Sequence, residues 1–405
     1  MLKSLRSVAR FRRIELDSTT RRLARAASVS DLRRIAKRRL PRGVFDYIDG
    51  AAEDEDAARR NVAAFRDLEF RPRVLRNMTD LDASTTLLGE RISFPLVLAP
   101  TGFTRIADAQ GELAVARTAA RTGIPYTLST MATRSIEEVA AVSDGPKWFQ
   151  VYMWRDRGLV RELVARAASS RYSALVLTVD TVVLGRRERD VRRGFTLPPQ
   201  LGAGTIIDGV VHPRWTWDFV RAEPITFANL AGHDVGDGST AVSLAEHVAE
   251  QFDPNLSWAD VEWLRDQWDG PIVLKGIQTV EDAVMAADAG VDAIAISNHG
   301  GRQLDSAPAI VQVIEPVVDA VGGRIEVICD GGVRRGADIV KALALGADAC
   351  MAGRAYLYGL GAGGERGVDH VLDLLAGGVR RTMALIGATR VSEISRDQVE
   401  WRAQR

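Results

Sequence analysis

From residue 94 onward, short apolar runs return along the chain at regular intervals, and the stretches between them carry the i, i+3, i+4 spacing of amphipathic helices. Eight such runs stand out, at 96–99, 125–129, 148–152, 174–180, 272–275, 293–297, 326–330 and 349–353. Each is short, rich in β-branched residues and almost continuously hydrophobic, as expected of a parallel strand covered on both faces. Helical stretches such as 111–117 and 337–343 fill the gaps, so the beat is βα repeated eight times, the number that closes a TIM (β/α)8 barrel. A doubly wound open sheet is the alternative. The count, and the polar residue that ends nearly every run, favour the barrel.

Two departures from the beat complete the organisation. Before the barrel, Ser28-Val29-Ser30-Asp31 followed by Leu32, Ile35 and Ala36 predicts a capped helix ended by Pro41, and Phe45-Asp46-Tyr47-Ile48-Asp49-Gly50 predicts the start of a second. After the fourth run the pattern lapses over 186–268, which holds Pro198-Pro199, a patch with Gly232, Gly236 and Gly238, and the aromatics Trp215, Trp217 and Phe219. A segment that long inside a compact domain predicts a lid or a contact surface. The expected layout is therefore a basic extension over 1–27, a barrel unit over 28–395 with an insertion over 186–268, and a tail over 396–405.

Composition narrows the function. The 405 residues are 46% hydrophobic with a formal net charge of zero, enough for a large core and without the global charge that would draw nucleic acid. Cys329 and Cys350 both sit in apolar runs, which predicts buried thiols and a reducing, cytoplasmic compartment. His212, His233, His247, His299 and His370 are scattered, and no metal site with the usual ligand spacing can be drawn. No stretch approaches the roughly 18 apolar residues of a membrane span. The basic lead, with Arg10, Arg12 and Arg13, suits either a solvated tail and helix or a contact with anionic headgroups on the inner face of the cell membrane.

The strand ends carry the chemistry. Behind the run 293–297 comes Ser297-Asn298-His299-Gly300-Gly301-Arg302-Gln303-Leu304-Asp305, which places a base, two glycines and a guanidinium at the C-terminal end of a strand, where α/β barrels keep their active sites. Asp180 ends the fourth run and is the natural carboxylate to orient His299. Asp330-Gly331-Gly332-Val333-Arg334 after the seventh run and Gly353-Arg354 after the eighth bring glycines and cations together where barrels bind phosphate. Pro100, Thr101, Ser129, Gln150, Thr178 and Lys275 end the remaining strands with groups suited to a flat heterocycle. Lys275 would offset negative charge on a reduced ring, or serve as a structural ion pair. No GxGxxG follows a strand, so flavin mononucleotide (FMN) fits better than a nicotinamide dinucleotide. A hydroxyl-bearing carbon that gives up a proton and two electrons beside a carboxylate held on Arg302 describes a 2-hydroxy acid.

With these motifs in their order, the chain resembles, over roughly 28–395, the FMN-dependent L-2-hydroxy acid oxidases and dehydrogenases, the family of glycolate oxidase, L-lactate dehydrogenase and mandelate dehydrogenase. The resemblance implies that His299 is the catalytic base and Asp180 its partner. It implies that Arg302 binds the substrate carboxylate with help from Tyr47, that Tyr152 hydrogen-bonds at the reacting centre, and that Arg187 is a further active-site arginine. On the flavin side it assigns Pro100 and Thr101 to the ring, Ser129, Gln150 and Thr178 to its polar edge, and Lys275 and Ser297 to its reactive half. Asp330, Gly331, Gly332, Arg334, Gly353 and Arg354 would grip the ribityl chain and phosphate. Met131 stands where glycolate oxidases carry tryptophan, which argues against glycolate, and Gly102 stands where many oxidases have alanine, which points to dehydrogenase behaviour.

The resulting expectation is oxidation of L-lactate to pyruvate, with a quinone as acceptor or oxygen in its place. His299 takes either the hydroxyl proton or the Cα proton, and the sequence does not separate the two. An FMN-dependent isomerase would need a diphosphate or metal site that is not visible. An oxidase acting on a peptide or larger metabolite would use the long insertion for recognition. The resemblance further implies a homotetramer, and in membrane-bound members the insertion docks on the bilayer. Trp215, Trp217 and Phe219 beside Arg214 and Arg221 suit that use, as they suit packing on the barrel or on a neighbouring subunit.

Overall fold

The computed structural model describes residues 15–193, 202–230 and 252–402. Arg10, Arg12, Arg13, Pro198, Pro199, Gly232, Gly236, Gly238, His233 and His247 lie outside them. Eight parallel strands close into a barrel: β1 (Leu96–Leu98), β2 (Tyr126–Ser129), β3 (Lys147–Tyr152), β4 (Ala174–Thr178), β5 (Ile272–Ile277), β6 (Ala293–Ser297), β7 (Glu326–Asp330) and β8 (Ala349–Ala352). Pairing runs in chain order and ends with β8 against β1. All eight predicted runs are strands, with ends differing from expectation by a residue or two. The run at 174–180 stops at Thr178, so Asp180 belongs to the following loop.

Side-chain alternation along these strands sorts the barrel into two cores. Leu175 and Leu177 of β4, Ile294 and Ile296 of β6, and Val327 and Cys329 of β7 turn outward to the helices. Ala174 and Val176, Ala293 and Ala295, and Ile328 turn inward and meet Trp148, Val97 and Met351. The same alternation turns the next residue inward at the C-terminal end, and there the residues become polar: Thr178, Ser297 and Asp330. A hairpin of Thr85–Leu87 and Glu90–Ile92 closes the opposite mouth, placing Leu87 and Ile92 in the inner core. It is pinned by Glu326, which accepts from the Leu88 N–H at 2.8 Å. Cys329 and Cys350 are free, buried and side by side in register on β7 and β8.

Ahead of the barrel, α1 (Val29–Arg39) starts at Ser28, whose hydroxyl caps the Asp31 N–H. The second helix, α2 (Arg42–Asp49), begins earlier than its sequence pattern predicts, because Pro41 pre-sets the entry and Gly50 ends it rather than opening it. A third, α3 (Asp56–Ala63), leads towards the first strand of an outer ribbon, Leu68–Phe70, which pairs with Val399–Trp401. The residues set apart at the two ends are thus, where described, packed onto the barrel: Val399–Trp401 is in that ribbon, and Leu23 of the helix Ser18–Leu23 is buried against Gly363. The interruption after β4 is also shorter than 186–268, because its last part, Trp258–Arg265, is the helix that completes the fourth βα unit.

Candidate active site

The polar strand ends meet in one cavity of about 550 Å³ at the C-terminal mouth of the barrel. Its lining includes Tyr47, Pro100, Thr101, Ser129, Tyr152, Arg187, Lys275, His299 and Arg302, and also Asp330, Gly331, Gly332, Arg334, Gly353 and Arg354. Gln150, Thr178 and Ser297 are buried at the strand ends beneath that lining, and Asp180 is buried behind His299. Every residue assigned in the sequence to catalysis or to the cofactor therefore lies at or just beneath this mouth.

His299 projects from the turn after β6 with its backbone in the left-handed region, φ +56°. Its Nδ1 lies 2.9 Å from Asp180 Oδ1. Burial by itself would raise the Asp180 pKa, but the adjacent His299 and the nearby Lys275 ammonium hold it below the ordinary carboxylate value. An anionic Asp180 fixes the imidazole tautomer with the proton on Nδ1 and leaves Nε2 as the acceptor.

Opposite the base stands a cationic pole. The Arg187 and Arg302 guanidinium carbons lie 5.3 and 5.2 Å from the centre of the Tyr47 ring. Arg302 donates to the backbone carbonyls of Tyr47 (2.8 Å) and Gly50 (3.0 Å), at the C-terminal end of α2, where the helix dipole favours a cation. Burial and the facing Arg187 lower the Arg302 pKa from its usual value, so this guanidinium stands to gain from an anion. Asp190, buried beside Arg187 (Nε to Oδ2, 3.4 Å), leaves its Oδ1 without a partner.

The cofactor end is held by a second set of contacts. Lys275 Nζ sits 2.9 Å from Asp330 Oδ2 and 3.2 Å from Ser297 Oγ, and Ser297 Oγ in turn donates to Asp330 at 2.8 Å. Burial opposes the Lys275 charge, yet Asp330 and Asp180 raise its pKa, so it stays an ammonium. Arg354 spans two segments, donating to Gly300 O (2.8 Å) and Gly50 O (2.8 Å). Gly353 and Arg354 open the helix Arg354–Gly363, so backbone N–H groups, Arg334 and Arg354 face one concavity. Gln150 accepts from Ser129 Oγ through Oε1, while its buried Nε2 has no partner. A turn of glycines with two guanidinium groups fits a phosphate, and an unpaired amide donor beneath the cavity fits a ring carbonyl. The residues present fit FMN.

The sequence reading missed the apolar wall. Phe103, Phe227, Phe252, Leu184 and Val191 line the cavity beside Met131, the one member of this wall that the sequence singled out. Phe227 and Phe252 both come from the insertion, and Phe252 meets the Tyr152 ring edge-on at 5.2 Å. No periodicity marks these residues. Asp190 could have been found, since it lies one helical turn after Arg187.

Comparison with known proteins gives the same family from several directions. The family model for FMN-dependent dehydrogenases matches residues 36–401. A Mycobacterium tuberculosis protein provisionally named an L-lactate dehydrogenase is 47% identical over 97% of this chain and 94% of its own. The L-lactate dehydrogenase of Caulobacter vibrioides is 44% identical over 91% of this chain and 96% of its own. Among solved structures, the monotopic membrane protein (S)-mandelate dehydrogenase superposes with a TM-score of 0.90 at 40% identity, covering 93% of this chain and 100% of the other. Mandelate oxidase with 3,3-difluoro-2-hydroxy-3-phenylpropionic acid gives 0.79 at 37% identity, with 93% and 100% covered.

Proposed function

The chain belongs to the FMN-dependent dehydrogenase family, and from that premise we propose that it oxidises L-lactate to pyruvate at the barrel mouth and passes the electrons to a quinone. The observation that carries the reading is the His299–Asp180 pair, opening into the same cavity as Arg302, Arg187 and the Gly331–Arg354 cradle. Bound FMN would accept the two electrons removed from the substrate. Gly331, Gly332, Arg334, Gly353 and Arg354 would hold its phosphate, and Gln150, Ser129 and Lys275 its ring.

Arg302 binds the substrate carboxylate, with Arg187 beside it and the Tyr47 ring between them. That contact sets the hydroxyl-bearing carbon towards His299. Nε2 of His299 takes a proton from the substrate, and the imidazolium so formed is stabilised by the Asp180 carboxylate 2.9 Å away. Tyr152, whose hydroxyl burial keeps protonated, is a hydrogen-bond donor on the same wall.

The names of the Mycobacterium and Caulobacter relatives support lactate. A second reading is supported by the wall of Phe103, Phe227, Phe252 and Met131, which offers apolar surface well beyond a methyl group, and by the mandelate enzymes among the structural neighbours: an aryl-substituted (S)-2-hydroxy acid. Anaerobic mixing of the FMN-loaded protein with L-lactate and, separately, (S)-mandelate tests both. The proposal expects faster bleaching of the flavin absorbance with lactate, and bleaching by mandelate alone transfers the assignment to the aryl acid. Reoxidation by a soluble quinone faster than by air is expected; the reverse order makes the protein an oxidase.

Peripheral attachment to the inner face of the cell membrane is part of the proposal. The helices Ala203–Val211 and Pro213–Arg221 expose Ile206, Ile207, Val210, Val211, Trp217 and Val220. Trp215 instead turns to the barrel and donates to Ile106 O at 2.8 Å, while Arg221 covers the Trp217 ring at 4.1 Å. Among the described residues no helix is long and apolar enough to cross a membrane. An apolar, tryptophan-bearing hairpin with basic residues suits the interfacial layer, and the monotopic neighbour supports that use. Family resemblance, rather than a surface of this chain, supports a homotetramer, which light scattering would measure.

A further inference from the structure

The His299 turn is strained, and Asn61 of α3 is among the residues outside the barrel that hold it. His299 has a positive φ without being glycine, a conformation that persists only where the surroundings over-determine it. Its neighbour Asn298, 2% exposed, is locked in one orientation: Oδ1 accepts from Gly301 N–H at 3.0 Å, and Nδ2 donates to Pro308 O at 3.1 Å. Flipping that amide would set donor against donor and acceptor against acceptor. Asn61, on α3 and likewise 2% exposed, completes the pair in both directions, giving Nδ2 to Asn298 Oδ1 at 2.7 Å and accepting from Asn298 Nδ2 at 3.1 Å. Its own orientation is fixed by Ile310 N–H, 3.1 Å from Oδ1.

Helix α3 is seated on this turn along its length. Asp305, at the end of the same motif, caps its start by accepting from Asp56 N–H (3.2 Å) and Ala57 N–H (2.7 Å). Gly301 packs so close that a Cβ there would lie 2.5 Å from Ala58 N. At the far end of the helix, Gly332 of the phosphate turn (φ +81°) lies where a Cβ would be 2.0 Å from the Asn61 carbonyl oxygen. Asn61 therefore touches the phosphate turn with its backbone and the catalytic turn with its side chain.

We propose that Asn61 is a positioning residue that couples occupancy of the phosphate cradle to the placement of His299. A phosphate on Gly331–Gly332 fixes the turn that bears on the end of α3, and the amide pair transmits that restraint to Asn298 and so to the base. By linkage, whatever orders one turn favours order in the other. The inference rests on the assignment of His299 as base and of this turn as the phosphate seat.

Amide hydrogen exchange, read by mass spectrometry on the apo and FMN-loaded protein, tests it without any substrate. In the unaltered chain FMN is expected to slow exchange both in 330–336 and in 297–305. In Asn61→Ala, protection by FMN should persist in 330–336, while the gain in 297–305 falls by roughly tenfold or more. Asn61→Ser, a short polar side chain that places no buried charge against Asn298 Oδ1, should lie between the two, and it carries the test if Asn61→Ala fails to fold. With substrate, kcat should fall about tenfold to a hundredfold at a nearly unchanged KM, because Arg302 is held separately by Tyr47 O and Gly50 O. Equal FMN protection of 297–305 in Asn61→Ala and the unaltered chain would overturn the proposal. So would a loss spread evenly over the barrel, including 174–178, which marks a purely structural role. Failure to turn over any 2-hydroxy acid would remove the proposed function and leave this exchange result standing.

Discussion

The lower and upper halves of the barrel interior are built from the same strands, a residue or two apart, yet they do opposite work. Below, Val97, Trp148, Val176, Ala295 and Ile328 fill the space with apolar side chains, and Met351 of the same layer lines the cavity above them. Above, on the same inward face, stand Gln150, Thr178, Lys275, Ser297 and Asp330, and the packing gives way to a cavity of about 550 Å³. The lower layer stabilises by burial, so a substitution there should cost folding energy. The upper layer holds buried charges and an unpaired amide, so a substitution there should cost activity first.

The sharpest separation is expected at His299. Replacing it with glutamine removes the proton-accepting imidazole Nε2 and should lower kcat by about 10²–10⁴, with FMN still bound and Tm little changed. The counterpart below is Trp148→Ala, fully buried, expected to lose about 3–5 kcal/mol in denaturant unfolding while the folded fraction keeps most of its kcat. If Trp148→Ala abolished turnover in protein shown to be folded, the division of labour would fail.

A smaller effect separates the layers by pH. The Asp180 pKa is held below its unfolded value, so its contribution to stability is present above the ordinary carboxylate range and is lost as pH falls through the lowered value. Asp180→Asn should therefore flatten the acid side of a Tm-against-pH curve below about pH 4, where Val176→Ala would shift the whole curve down without changing its shape. The smallest effect lies outside the barrel. Ile207→Ser with Trp217→Ser should reduce co-sedimentation with anionic vesicles, while Tm shifts by no more than about 0.5 kcal/mol would imply, because both side chains are exposed.

Much of this arrangement was legible in the chain because a parallel strand reports itself twice, by its apolar run and by the polar residue that ends it. His299, Arg302, Asp330 and Lys275 all stood at such ends. The N-terminal helix was legible from Ser28, but α2 was misjudged at its start, since a helix opened by Pro41 shows no side-chain cap. Phe227 and Phe252 were illegible for a different reason. They lie outside regular elements, and their place in the wall depends on long-range contacts, such as Ala228 N–H donating to Ala132 O at 3.2 Å and the bridge between Trp154 and Phe252, that no local pattern encodes.

The sequence by itself determined the barrel, the strand ends that carry chemistry, and the order in which base, clamp and phosphate turn occur, because periodicity and turn chemistry are local properties. Tertiary structure alone decided that the carbonyls ending α2 would seat both Arg302 and Arg354. It also decided that Asn61 would join the catalytic turn to the phosphate turn. Those contacts join residues hundreds of positions apart, and they exist only because closing the barrel brings β6, β7 and β8 under one N-terminal helical cover.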